Sequence, residues 1–201
     1  MQNFSYQTIK NPITEIIYKD KGSKFVGFAI PVENEEDFKI EIEKIKTAHP
    51  KATHHCYAYR FGISGEEYRA NDDGEPSGSA GLPIYNQLLA HEISDILVVV
   101  VRYYGGTKLG VAGLIKAYKE TAKLAIENSE IIIKTLESKL NIAFPYSEQH
   151  LVFTILNRFD AKILDFQTEQ NCKISASLAT EKIKSISEKL SEMHHIIFEI
   201  S

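Results

Sequence analysis

A segment rich in glycine and serine, Asn71–Gly81 (NDDGEPSGSAG), carries several groups that could do chemistry. Its candidate cleft-lining side chains are Asp72, Asp73, Glu75, Ser77 and Ser79. Paired carboxylates can hold a hard cation or divide the roles of general acid and general base. The small residues after them leave backbone amides free before a predicted helix, an arrangement that binds anions. The alternative is a solvated acidic turn, so both interpretations stay open.

A second candidate is the basic, glycine-containing turn Arg102–Gly110 (RYYGGTKLG). It follows an apolar run predicted to be a strand and precedes a predicted helix, a position where α/β layers often place ligands. Glycine lets the backbone approach a ligand, cationic side chains attract phosphate, and tyrosines can stack on bases. The candidate phosphate- or nucleic-acid-binding residues are Arg102, Tyr103, Tyr104, Gly105, Gly106, Lys108, Lys116 and Lys119. The alternative is an ordinary strand-to-helix turn with its tyrosines in the core.

Two histidines and a cysteine begin a predicted strand, His54–Phe61. Because neighbouring residues on a strand face opposite ways, His54 can share a ligand with Cys56 but not easily with His55. The sequence offers no further ligand at zinc-site spacing, so a structural or hydrogen-bonding role is predicted, with neither a metal nor another cofactor. We expect His54 and Arg60 to line the same cleft as the acidic segment.

Composition excludes several classes of protein. The 201 residues carry a net charge of −4, which argues against a general nucleic-acid coat but allows a local basic patch. Two distant cysteines argue against a disulfide scaffold. No apolar run is long enough to span a bilayer, and the first residues lack the pattern of a secretory signal. We therefore expect a cytoplasmic protein with no membrane partner.

The elements that must position these residues begin with a hairpin. Hydrophobic periodicity and turn signals predict strands at Ile13–Asp20, Ser23–Val32, His54–Phe61, Glu67–Ala70, Ile96–Val101 and Ile131–Lys134, and helices after Asn34 and over Leu82–His91 and Gly110–Asn128. The first helix should bury Phe38, Ile42 and Ile45; the third should bury Val111, Leu114, Ile115, Tyr118, Ala122 and Ala125. An irregular stretch as long as Asn71–Gly81 inside such a domain is usually functional.

The remainder of the chain has a simpler pattern and no internal repeat. Strands are predicted at Ser138–Phe144, Ala161–Gln167, Cys172–Leu178 and Ile196–Ile200, with a turn at Gln170-Asn171 and helices at Tyr146–Phe159 and Glu181–Met193. Leu151, Ile155 and Phe159 should face inward from the first helix, and Ile183, Ile186 and Leu190 from the second. The order βαββαβ is that of a ferredoxin-like domain. The sequence thus predicts an α+β protein with domains at residues 1–135 and 136–201.

Four motifs together resemble the IMPACT/YigZ family. They are KGSKF at Lys21–Phe25, HHCYAYR at His54–Arg60, NDDGEPSGSAGLPI at Asn71–Ile84 and VVRYYGGTKLGVAGLIKAY at Val100–Tyr118. The resemblance implies a split β-α-β first domain like domain four of elongation factor G and a tail like that factor's ferredoxin-like domain five. It implies a link to translation, because eukaryotic relatives regulate translation, and RNA or ribosome binding is the usual suggestion for bacterial ones. The ubiquitin-ligase-like N-terminal module of the eukaryotic relatives is missing from this sequence, and the family offers no established catalytic residues.

Three functions are consistent with these features. The leading hypothesis is a non-enzymatic, translation-linked protein that binds RNA or a ribosomal component, with a protein of the translation machinery as a further partner. Its rival is an enzyme on a small phosphorylated or acidic ligand, with Asp73 and Glu75 holding a cation or proton and Arg102 with Lys108 clamping the anion. A protein-binding adaptor comes third. The enzyme ranks below RNA binding because the sequence shows no complete nucleophile–base or metal set.

Overall fold

The computed structural model describes residues 4–169 and 171–201, so Gln170 of the predicted second-domain turn and residues 1–3 lie outside the described residues. The chain divides into a first unit, residues 6–134, and a second unit, residues 135–201 with residues 4 and 5. Both units combine helices with antiparallel sheets, so the fold is of the α+β class. Of the helices described, none has the length and apolarity needed to cross a membrane.

The first unit is built on a five-stranded antiparallel sheet with the order β2-β3-β6-β4-β5. Its strands are β2 (Ile13–Asp20), β3 (Ser23–Pro31), β4 (His54–Phe61), β5 (Glu67–Asn71) and β6 (Ile96–Tyr103), and β1 (Ser5–Ile9) pairs with β7 (Ile131–Thr135) in a separate two-stranded sheet. Strands β3 and β4 both run antiparallel to β6, which lies between them. They are therefore parallel to each other, and the helix that joins them completes a split β-α-β unit.

Helices cover both faces of this sheet. They are α1 (Glu35–Ala48), α2 (Gly81–Ala90) and α3 (Gly110–Glu127). The side chain of Asn34 accepts hydrogen bonds from the amides of Glu36 and Asp37, which confirms the predicted cap of α1. Helix α1 packs on one face through Phe38, Ile42 and Ile45, whereas α2 and α3 pack on the other. Strand β6 is a continuous apolar run because both of its faces are covered.

Helix α3 differs from its predicted burial at two positions. Leu114, Tyr118, Ala122 and Ala125 are buried, as the periodicity predicts. The prediction was wrong for Val111 and Ile115, which are 53% and 39% exposed. Both lie in the first two turns of the helix, where they line surface cavities instead of packing on the sheet. Helical spacing shows which side faces inward, but not how far along the helix the core extends.

The second unit has the element order βαββαβ. Its elements are β8 (Glu137–Phe144), α4 (Gln149–Arg158), β9 (Lys162–Thr168), β10 (Cys172–Ala179), α5 (Ile183–Ser191) and β11 (Ile197–Ile200), in an antiparallel sheet of order β11-β8-β10-β9. Leu151 is 45% exposed, against prediction, whereas Val152, Ile155 and Leu156 are buried. A 3-10 turn at Tyr146–Glu148 precedes α4. Val152, Ile155 and Leu156 define the buried side of α4, and Leu151 lies at the margin of that side.

Candidate functional site

One end of the five-stranded sheet brings together the two segments that the sequence singles out. In the strand register, His54 lies opposite Arg102 and Lys24 opposite Tyr103. The start of β4, the start of β3 and the end of β6 therefore meet at one edge. We call this region the site edge; it comprises the turn at residues 21–22, the loop at residues 72–80 and the turn at residues 104–109.

Asp72 organises the loop at residues 72–80 from inside. Its Oδ2 accepts a hydrogen bond from the amide of Gly78 at 2.8 Å. Its Oδ1 accepts from the amides of Ala80 and Gly81, at 3.0 and 2.8 Å. These are the amides that the sequence suggests for anion binding, and in the structure the anion they hold is Asp72 itself. A carboxylate beside the first turn of α2 also suits the positive end of that helix.

Asp73 fixes the two histidines that begin β4. Its Oδ2 accepts the backbone N–H of His55 at 2.6 Å, and its carbonyl oxygen lies 2.7 Å from His54 Nδ1. Because a carbonyl can only accept, Nδ1 of His54 carries the proton and Nε2 faces Glu75 Oε1, 3.8 Å away. Asp72, Asp73 and Glu75 thus bind three different sets of protein groups. Among the described residues, no group of three or more His, Cys, Asp or Glu side chains is placed to hold a metal ion.

Glu75 and Arg102 form a buried ion pair at the centre of the site edge. Glu75 Oε1 accepts hydrogen bonds from Arg102 Nη1 at 2.6 Å and from the Tyr118 hydroxyl at 2.8 Å. Arg102 Nη2 lies 3.4 Å from the Ser23 hydroxyl, and the guanidinium lies 5.5 Å from the ring centre of Tyr104. Both charged side chains are over nine-tenths buried. The charge of Arg102 is therefore balanced inside the protein instead of being presented to solvent.

Two further groups in this cluster are held in their neutral forms. Burial is the main cause that raises the pKa of the Tyr118 hydroxyl above its ordinary value of 10.0, and the Cys56 thiol and the Glu75 carboxylate add to it. Burial likewise raises the pKa of the Cys56 thiol above its ordinary value of 9.0. The thiol also donates a hydrogen bond to the carbonyl of Asp72 at 3.0 Å. Cys56 is thus a structural residue here, because the nucleophilic thiolate form is disfavoured.

We expect this burial to make the first unit sensitive to alkali. An unfolded chain ionises tyrosine near pH 10, whereas burial raises the pKa of folded Tyr118 above that value. The contribution of Tyr118 to stability is therefore present below pH 10 and is lost as pH rises. Tyr118→Phe should flatten the decline in free energy of unfolding above pH 10 by up to about 1.4 kcal/mol per pH unit. Urea unfolding between pH 7 and pH 11 measures this slope. Tyr68→Phe, at an exposed site, should keep the wild-type slope; an equal slope in all three proteins would contradict the prediction.

The predicted cations that remain exposed near the site edge are lysines. Lys108, Lys116 and Lys119 are all exposed. In the part of the chain that the structure describes, none of them takes part in an ion pair, whereas Lys123 on the same helix lies 3.6 Å from Glu127. The Tyr104 ring, 48% exposed, lies on the same turn as Lys108. These three are the predicted site lysines that stay available to a partner.

Other predicted site residues lie outside this cluster. Arg60 is at the opposite end of β4, where Nη2 donates to the carbonyl of Ser64 at 2.6 Å. Tyr103 faces the other side of the sheet, with its hydroxyl 2.8 Å from His49 Nδ1. Ser77 is exposed, and the Ser79 hydroxyl is buried and donates to the carbonyl of Pro76. The structure therefore brings together His54, the acidic loop and part of the basic turn, but not Arg60 or Tyr103.

The structure also adds residues that the sequence-based site did not include. The exposed Lys21 belongs to the turn at residues 21–22, which packs against Gly105. Lys51 is exposed in the loop before β4, and that loop reaches the same edge because the amide of Thr53 donates to the carbonyl of Arg102 at 2.8 Å. The KGSKF motif could have indicated Lys21, because its glycine and lysines resemble those of the basic turn Arg102–Gly110. The sequence around Lys51 contains no such signal.

A cavity of about 490 Å³ opens beside the Glu75–Arg102 pair. Its walls include Tyr104, Lys108 and the first turn of α3. Its polar groups are thus the ion pair and one exposed lysine, and its remaining surface is largely apolar. A site of this composition can bind an anion or exclude water from a partner, and no catalytic pair is formed within it by the described residues.

Comparisons with known proteins agree with the four sequence motifs. The model of the Impact N-terminal domain matches residues 21–126. The protein named IMPACT family member YigZ from Escherichia coli is 31% identical over 183 residues, which cover 90% of this chain and 89% of that protein. The Saccharomyces cerevisiae protein named Protein IMPACT homolog is 31% identical over 112 residues, 53% of this chain and 41% of that protein. A crystal structure described as that of a hypothetical protein superposes with a TM-score of 0.72 at 28% identity, covering 98% of this chain and 97% of the other.

Proposed function

Because this chain belongs to the IMPACT family, we propose that it is a cytoplasmic, translation-linked protein that binds RNA, free or in a ribosomal particle, through its site edge. In this proposal the protein acts by binding RNA and is not an enzyme. The link to translation rests on the family, and the place of binding rests on one structural observation. Three exposed lysines free of ion pairs among the described residues lie on the site edge and the adjoining face of α3.

The lysines support this proposal because of how their charge is presented. Phosphate contacts provide most of the affinity in non-specific nucleic-acid binding, and they require cations that are not already neutralised. Lys108, Lys116 and Lys119 meet that requirement within a chain whose net charge is −4. Tyr104 adds an exposed ring on which a base can stack. Arg102, by contrast, serves to hold Glu75 and Tyr104 in place, so we assign it a positioning role.

The architecture of each unit supports the rest of the proposal. We propose that residues 1–135 and 136–201 are separate domains, the first with the fold of domain four of elongation factor G and the second ferredoxin-like. The split β-α-β arrangement of β3, α1 and β4 around β6 supports the first assignment. The order β11-β8-β10-β9 supports the second, because it places the first and third strands of βαββαβ at the centre of the sheet.

The proposal predicts a specific loss of salt dependence. Each phosphate contact to single-stranded nucleic acid contributes about 0.7 to the slope of log affinity against log salt. The triple variant Lys108→Ala/Lys116→Ala/Lys119→Ala should therefore bind single-stranded RNA with a slope that is shallower by about 2. Filter binding at several salt concentrations measures it, and the loss should be similar for RNAs of different sequence.

A matched control is available on α1. Lys39, Lys44 and Lys46 are surface lysines that pair with Glu35, Glu41 and Glu43. Replacing all three with alanine changes the net charge by the same amount, and the salt slope should stay at the wild-type value. Equal slopes for the two triple variants would show that total charge, not the site edge, determines binding and would sink the proposal.

A further inference from the structure

The cavity beside the Glu75–Arg102 pair has the size and composition of a small-molecule site. Its volume of about 490 Å³ lies in the range of roughly 300–1,000 Å³ that such sites occupy. Tyr104, Val111 and Leu114 supply an apolar wall. The surface lysines described above do not need this cavity, because phosphate contacts along a strand can be made on an open face. The cavity therefore requires its own explanation.

One end of the cavity is suited to an anion for two reasons. Helix α3 starts there, and its cap position is Leu109, whose side chain cannot accept a hydrogen bond from the amides of the first turn. Those amides and the positive end of an 18-residue helix favour negative charge, and Lys108 adds a full charge. Arg102 also lines the cavity, but its charge is balanced by Glu75 and adds no free cation at this end.

The start of α2 differs from the start of α3 because it already holds an anion. There, the amides of Ala80 and Gly81 hold the carboxylate of Asp72. The chain provides an internal anion for that helix, whereas the described residues provide none for α3. An external anion at α3 would complete the same arrangement.

The wall near Glu75 offers a hydrogen-bond acceptor. Oε1 of Glu75 accepts from both Arg102 and Tyr118, whereas no described residue donates to Oε2. Because Glu75 lines the cavity, a ligand with an N–H group can donate to this carboxylate. The cavity thus combines an anion-binding end, an apolar aromatic wall and an acceptor.

We propose that this cavity binds a nucleoside monophosphate. The phosphate lies at the start of α3 beside Lys108, the base packs on Tyr104 and Val111, and an N–H of the base donates to Glu75. The same chemistry is available from a free nucleotide or from the 5′-terminal nucleotide of an RNA strand. The second source rests on the proposed RNA binding, whereas the first does not.

The test fills the cavity without touching the ion pair. Val111 is half-exposed on the cavity wall, so Val111→Trp should block the cavity and leave the core intact. Leu82→Trp is the matched control, because Leu82 is similarly exposed on α2 and lines a different depression, of about 300 Å³. Titration calorimetry with AMP, UMP and inorganic phosphate should show both nucleotides binding the wild type more tightly than phosphate does. Val111→Trp should weaken nucleotide binding at least about tenfold, and Leu82→Trp should not.

A second arm separates the two sources of the ligand. It compares short single-stranded RNA with and without a 5′-phosphate on the wild type and on Val111→Trp. A 5′-phosphate preference that Val111→Trp removes, without binding of free nucleotides, assigns the site to RNA ends. If neither probe shows an effect of Val111→Trp, the inference is overturned. That outcome is distinguishable from failure of RNA binding at the lysines, because Val111→Trp leaves Lys116 and Lys119 and their salt slope in place.

Discussion

Glu75→Ala is expected to lower the free energy of unfolding of the first unit by about 3–5 kcal/mol, the usual cost of breaking a buried ion pair. The substitution leaves the guanidinium of Arg102 buried with no carboxylate at 2.6 Å, and it removes the acceptor of the Tyr118 hydroxyl. Because the partners stay buried, water cannot fully replace the lost contacts. Urea unfolding at neutral pH, monitored by tyrosine fluorescence, measures the difference.

Two comparisons show whether burial of the ion pair is the cause of the lost stability. Lys39→Ala breaks an exposed ion pair with Glu35 and should cost at most about 1 kcal/mol. The double variant Glu75→Leu/Arg102→Met removes both charges and should be more stable than Glu75→Ala alone, because no unpaired charge remains. If Glu75→Ala lowered the free energy of unfolding no more than Lys39→Ala does, the expected contribution of the buried pair would be contradicted.

Gly105→Ala should be nearly as damaging, through backbone overlap at the site edge. A Cβ at Gly105 would lie 1.9 Å from the carbonyl carbon of Gly22 and 2.3 Å from the amide nitrogen of Ser23. Neither backbone atom can rotate away as a side-chain end can, so one of the two turns must move. We expect a loss of about 3 kcal/mol, the upper range for overpacking, together with weaker RNA binding because Lys108 is displaced.

Gly106→Ala is the matched control in the same turn. Nothing lies within 4 Å of a Cβ there, but φ is +85°, so only the strain of the left-handed conformation applies. That strain should cost about 1–2 kcal/mol and leave the position of Lys108 unchanged. Thermal unfolding and RNA affinity, measured on both variants, test the pair. If Gly106→Ala were as damaging as Gly105→Ala, contact between the two turns would not be the cause.

Most elements of the fold were predictable because their signals are local. The alternation of β4, the apolar run of β6 and the cap at Asn34 depend on residues close in sequence. The exposure of Val111 was not predictable, because it depends on the cavity that opens beside the first turn of α3. The prediction for Leu151 was wrong because several registers of apolar residues fit the spacing, and the structure buries Val152, Ile155 and Leu156 instead.

The sequence marked two segments that meet at the site edge, but it did not show which groups their charged side chains bind. Glycine and charge marked Asn71–Gly81 and Arg102–Gly110 in the sequence. In the structure, the strand register brings the two segments together. The partners of Asp72 and Glu75 were hidden because they depend on three-dimensional neighbours: backbone amides for Asp72, and Arg102, 27 positions along the chain, for Glu75. The sequence does not show whether a charged side chain is neutralised by a partner inside the protein. Arg102 is neutralised in this way by Glu75, whereas Lys108 has no ion-pair partner among the described residues.

Sedimentation of the protein from cells of its native organism tests the central claim most directly. After crosslinking, the wild type should migrate with ribosomal particles, and nuclease treatment should release it. Lys108→Ala/Lys116→Ala/Lys119→Ala should remain near the top of the gradient, and Lys39→Ala/Lys44→Ala/Lys46→Ala should migrate as the wild type does. A wild-type protein that stays at the top of the gradient and crosslinks to no RNA would contradict the account.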